Sequence, residues 1–131
     1  ITEFDGLEYI RMDDAIKVRD TKFDTIEPYE YDISFLGRYG HAEFIPTKHG
    51  LLAVPDVSSN NSFNDIRLMR PGVERPVYSK YMQSGFMSEW ERMDDANFIK
   101  LTWSYGSAYE DTVWYLHIPT GNCSLELPDE Q

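Results

Sequence analysis

Two stretches of this chain, residues 41–78 and 89–127, set out the same order of strand, turn, strand, polar loop, strand, turn and strand. Leu51 superposes on Phe98 at an offset of 47, and Ile66 meets Val113 at the same offset. In each copy a turn bearing Gly50 or Asn97 leads into an apolar strand. A Ser/Asn/Gly-rich loop follows, at 58–64 or 104–108, and the next strand opens beside an acid, Asp65 or Asp111. Each copy closes through a glycine turn, Pro71-Gly72 or Pro119-Thr120-Gly121, into a last strand at 76–78 or 124–127. We therefore expect an all-β, mostly antiparallel fold: two four-stranded meanders plus short N-terminal strands, in a single domain spanning 1–131.

The N-terminal segment, 1–40, is less regular. Residues 7–12 and 15–18 read as short strands joined by a turn at Asp13-Asp14, since Asp bonds readily to nearby backbone. Residues 25–31 contain Pro28, which cannot donate to a sheet ladder, so that piece is an edge or a connector. Residues 32–38 read as a further strand. No long window has an apolar period of 3.6. The best helical candidate, 80–93, has Gly85 at its middle, which weakens it.

Units of roughly 40–50 residues, each of four short strands, are the pattern of propeller blades. FIPTKHGLLAV at 44–54 followed by NDIRLMRPG at 64–72 resembles a blade of the TolB-type β-propellers, whose blades run W/F-S-P-D-G-K-x-I-A-F and then D-I-Y-x-M-D-x-D-G. Phe44, Pro46, Gly50, Leu51, Ala53, Asp65, Ile66, Met69 and Gly72 stand at that pattern's fixed positions. The second copy keeps Trp90, Asp94 or Asp95, Phe98 and the Pro119–Gly121 turn, with Asn97 in place of glycine. In size, acidity and all-β pattern the chain is also similar to small bacterial immunity proteins made against secreted toxins. That likeness implies a non-enzymatic partner-binding role.

The chemistry visible in the sequence is sparse. The histidines are His41, His49 and His117, and the spacing of the first two is no standard metal spacing. The acid pairs Asp13-Asp14, Asp94-Asp95 and Glu110-Asp111 are turn acids, and neighbours on a strand face opposite ways. No G-x-S-x-G, phosphate-cradling glycine loop or H-E-x-x-H is present. Cys123 is the only cysteine, so there is no internal disulfide or thiolate cluster, and His117 is the group that could activate it as a hydrolase nucleophile. Arg67, Arg70, Arg75 and Lys80 gather around one hairpin, where local ion pairs are expected. No catalytic residue, metal or cofactor is expected.

Binding is what remains. A net charge of −11 repels nucleic acid and favours a basic partner. Nothing approaches the ~20 apolar residues of a membrane-inserting span. The loops at 58–64 and 104–110 hold equivalent places in the repeats and should emerge on one side. The expected partner-binding residues are Ser58, Ser59, Asn60, Asn61 and Phe63 in the first loop. In the second they are Trp103, Ser104, Tyr105, Ser107, Tyr109, Glu110 and Asp111, where aromatics beside acids would steer and anchor a basic protein. The expectation is an immunity protein that lays a loop over the active site of a cognate protein toxin, basic or enzymatic. The alternative is a propeller-type adaptor, sensor or lipoprotein domain on an envelope protein or glycan. Open sheet edges would allow a homodimer. The start at Ile1, without an initiator Met, fits a removed export signal and a periplasmic location, with the cytoplasm as the alternative.

Overall fold

A computed structural model describes residues 2–20, 29–36, 41–56, 65–73, 75–82, 85–105 and 111–127. The fold is all-β. The strands are β1 (Thr2–Phe4), β2 (Leu7–Arg11), β3 (Ala15–Asp20), β4 (Tyr29–Asp32), β5 (Glu43–Thr47), β6 (Gly50–Val54), β7 (Asp65–Met69), β8 (Tyr78–Tyr81), β9 (Phe86–Arg92), β10 (Phe98–Ser104), β11 (Thr112–His117) and β12 (Cys123–Ser124). They form three four-stranded antiparallel sheets in simple chain order, β1–β4, β5–β8 and β9–β12. The second and third sheets are the expected blade-like meanders. The N-terminal strands, expected only as short pieces, assemble a full sheet of their own.

Local chemistry explains that first sheet. Phe4 pairs with Leu7 across Asp5-Gly6, whose φ values of 52° and 76° make the doubly positive turn that suits a two-residue hairpin. The edge strand β4 stops where the Asp32 carboxylate accepts the Ser34 amide at 2.8 Å. A 3-10 turn, Ser34–Leu36, follows there instead of the strand expected at 32–38. Within 80–93 a strand, β9, replaces the helical candidate. Gly85 has φ of 126°, and a Cβ there would stand 2.5 Å from the Ser104 carbonyl oxygen.

The offset of 47 holds for the first two strands of the repeat, where Ile45 opposes Leu52 just as Arg92 opposes Ile99. It slips by one at the third strand. Leu52 faces Leu68 while Ile99 faces Leu116, so Ile66 corresponds to Trp114 and not to Val113. A one-residue shift exchanges sheet faces, and it puts Trp114, opposite Leu101, on the core side.

The sheets stack face to face. On β6, Leu51 and Ala53 join the core shared with the first sheet, beside Tyr9, Ile16, Val18 and Tyr31. Leu52 and Val54 point the other way, into the core shared with Ile99, Leu101, Trp103 and Leu116 of the third sheet. All four β6 side chains are fully buried, with Leu51, Leu52 and Val54 each worth roughly 1.5–3 kcal/mol relative to exposure. The outer face of the first sheet carries Glu8 opposite Arg19 and Lys17 opposite Glu30, with Glu8 and Arg19 paired at 2.7 Å.

In the second and third sheets the β5–β6, β9–β10 and β11–β12 turns lie at one end, the turn end, and the connections after β6 and β10 leave from the other, the loop end. At the turn end, His49 Nε2 and Asn97 Oδ1 meet at 2.7 Å, and the Tyr78 hydroxyl donates to the Ile118 carbonyl at 2.8 Å. Gly121 packs against the Tyr78 ring, where a Cβ would come within 2.9 Å. Arg67, expected in a local ion pair, lays its guanidinium over Phe35 at 4.2 Å and so ties the second sheet to the segment after β4.

Candidate functional site

The two long connections leave the molecule side by side. Asp56, just past β6, forms a parallel bridge with Met87, whose amide donates to the Pro55 carbonyl at 2.8 Å. Met87 in turn pairs with Trp103 near the end of β10. The connection after Asp56 and the one after Tyr105 therefore start about two strand spacings apart, roughly 10 Å. Residues 57–64 and 106–110 themselves lie outside the described residues.

A cleft opens from the second sheet to the third. Lys80, Tyr81 and Met82 line it on one side, and Tyr105, Trp114 and Cys123 on the other. Tyr81 pairs with Asp65, the first described residue after one long connection, and is 62% exposed. Trp114 rests against the shared core, and its indole N–H is buried with no partner among the described residues. Tyr81 also belongs to a wider pattern. Of the large apolar side chains exposed among the described residues, all but Met12 lie on or beside the fourth strands: Tyr29, Val73, Val77, Tyr81, Leu125 and Leu127.

The sequence-derived site residues separate into three groups. Tyr105 lines the cleft, and Ser104 is half-buried opposite Phe86. Asp111 is exposed at the entry to β11. Trp103 is a correction: in phase with Ile99 and Leu101 it points into the core with no exposed surface, so it supports the loop base and cannot touch a partner. Ser58, Ser59, Asn60, Asn61, Phe63, Ser107, Tyr109 and Glu110 fall outside the described residues. Lys80, Tyr81, Met82 and Trp114 were missed as site residues. For Trp114 the corrected register was the missing signal.

The Cys–His reading fails on geometry. Cys123 sits opposite Leu116 and packs on the core. His117, the next residue along β11, faces the other way, with its ring 5.0 Å from Phe98 and Nδ1 2.7 Å from the Thr120 hydroxyl. Burial pushes the Cys123 thiol above its ordinary range, and the nearby Lys80 charge offsets this only in part. A protonated thiol on the opposite sheet face from the histidine is no activated nucleophile. His49 is engaged with Asn97, and His41 is exposed beside Asp13 and Asp14 in an open concavity.

What the arrangement can do is hold a protruding group. Three aromatic rings, a methionine, a cysteine and a lysine flank the slot. No protein-family model, no curated protein and no solved structure matches the chain.

Proposed function

We propose that the protein is a non-enzymatic binding module, an immunity protein that blocks a cognate toxin by seating part of it in the cleft between the second and third sheets. The observation that carries this reading is an aromatic cleft in which Tyr105 ends one strand and Tyr81 pairs with Asp65 at the start of another, each next to a long connection. Binding residues are commonly placed on loops held by such a scaffold. Tyr and Trp give large contact areas at low entropic cost, as interface anchors require. Asp56, Asp65 and Asp111 surround the loop bases, and with a net charge of −11 they suit a basic partner. The three face-to-face meanders support the blade-like resemblance.

The test is capture from the source organism's lysate and culture supernatant, identified by mass spectrometry, followed by affinity measurement on the captured protein. One basic or enzymatic protein, held stoichiometrically and inhibited, is the expected result. Tyr81→Ala and Tyr105→Ala each then weaken binding by about tenfold or more, in the range of interface anchors. Unchanged affinity in both variants would remove the cleft from the interface. A second reading, an adaptor for an envelope glycan, draws on the same aromatic rings, which could stack on a sugar. Binding of glycans with no protein captured would favour it.

A further inference from the structure

At the turn end, away from the cleft, Arg92 is held by all three sheets. Its guanidinium carbon lies 4.3 Å from the Phe4 ring centre in the first sheet and 5.1 Å from that of Trp90 in its own. Nη1 donates to the Pro46 carbonyl of the second sheet at 2.6 Å. These contacts fix the plane of the group and use one of its five N–H donors. Among the described residues no carboxylate lies within ion-pair distance of it, in a chain with 23 acids. Arg92 keeps an exposed side, and desolvation of its packed face draws it below the ordinary arginine range, with the Tyr9 phenolate acting in the other direction.

Arg92 forms part of the wall of a cavity of about 70 Å³, together with Lys48, Phe4, Phe98, Ile99 and Ile118. Lys48 is exposed on the turn between β5 and β6. Thr47 also reaches the cavity, but its hydroxyl already donates to the Gly50 carbonyl and accepts from the His49 amide. At ~10–15 Å³ per water-sized site, the space takes about five heavy atoms. Its walls are apolar, apart from that hydroxyl and two cations.

We propose that this cavity binds a small monocarboxylate with a short apolar tail, the carboxylate on the Arg92 fork and Lys48, the tail against Phe98, Ile99 and Ile118. A planar fork is matched to a carboxylate, and prior immobilisation by rings and a carbonyl lowers the entropic cost of binding. Phosphate lacks the tail and carries more charge into a chain of net −11, with Asp94 and Asp95 in the adjoining turn. Two sources share the favoured chemistry: a free short branched acid, and the C-terminal carboxylate of a peptide ending in a small apolar residue. The site stands apart from the proposed toxin interface.

The test is an NMR titration of ¹⁵N-labelled protein, following the Arg92 Nε–Hε signal, identified by its loss in Arg92→Lys. Sodium isobutyrate gives a saturable shift at roughly millimolar concentration, while isobutyramide and inorganic phosphate at matched ionic strength give none. Lys48→Gln, on an exposed turn, weakens isobutyrate by about twofold to threefold. Arg92→Lys, read at the Phe98 and Ile99 amides, weakens it by about tenfold or more. Acetyl-Ala-Val binding more tightly than isobutyrate, and not as its C-terminal amide, assigns the site to a peptide terminus; weaker binding assigns it to the free acid. No saturable shift with either acid, an equal response to isobutyramide, or unchanged affinity in Lys48→Gln would overturn the proposal.

Discussion

The two ends of the stack are built by different means. At the turn end, several side chains cross from sheet to sheet: His49 to Asn97, Tyr78 to Ile118, and Arg92 to both Pro46 and Phe4. At the loop end the second and third sheets are tied by the Asp56–Met87 backbone bridge and by the Trp90 indole N–H, which donates to the Glu43 carboxylate at 3.3 Å, and a cleft opens between Lys80–Met82 and Tyr105, Trp114 and Cys123. The difference teaches that sheet positions are fixed from the turn end and from the core. Exposed side chains at the loop end, Tyr81 among them, can then serve a partner at little cost to the fold.

Substitutions can break or sharpen that contrast. The largest effect belongs to Trp103→Ala, because the residue sits beside the cleft yet belongs to the core. We expect a loss of about 3–5 kcal/mol in denaturant unfolding. A loss below about 1 kcal/mol would return Trp103 to the loop. Alkali comes next. Burial raises Tyr9 from 10.0 to about 12, and burial also raises Tyr31 and Tyr78. A folded pKa above the unfolded one gives stability that is complete below the unfolded value near pH 10 and is lost as pH rises through the folded value. Unfolding monitored by circular dichroism should thus set in above about pH 10, with tyrosinate absorbance delayed and rising with it. Ordinary tyrosine titration with the fold intact would contradict the packing of these three rings.

Gly121→Ala probes the turn end. With φ of 80° and the Tyr78 ring within 2.9 Å of the new Cβ, it should cost about 1–3 kcal/mol. The smallest effect on stability is expected from Tyr81→Ala, within about 0.5 kcal/mol, because its side chain is mostly in solvent. The same variant should have the large effect on partner affinity. If Gly121→Ala proved silent and Tyr81→Ala destabilising, the division between the two ends would be wrong.

Much of this was legible in residues. The alternation of Ile99, Leu101 and Trp103 marks one face of a strand, and it foretells the burial of Trp103 once that alternation is followed to its end. Asp5-Gly6 announces the first hairpin by turn chemistry alone, although the three residues before it are too few to show a pattern. The one-residue slip between Ile66 and Trp114 could not be read, because it is absorbed somewhere in a polar connection without periodicity. The cleft was illegible for a different reason. Lys80 and Trp114 belong to different sheets, and only the face-to-face stacking brings them together. Arg92 likewise reads as one more charge on a strand until three sheets converge on it.

The two-sided burial of β6 has a consequence for how the molecule comes apart. Its amides are flanked by β5 and β7 in the sheet plane and covered above and below by packed side chains. No local opening can expose them without separating at least one pair of sheets. Hydrogen exchange in β6 should therefore follow whole-molecule unfolding, whereas the edge strands β1 and β12 exchange by fraying. The cooperative unit is the stack of three sheets, and no single meander is a smaller one.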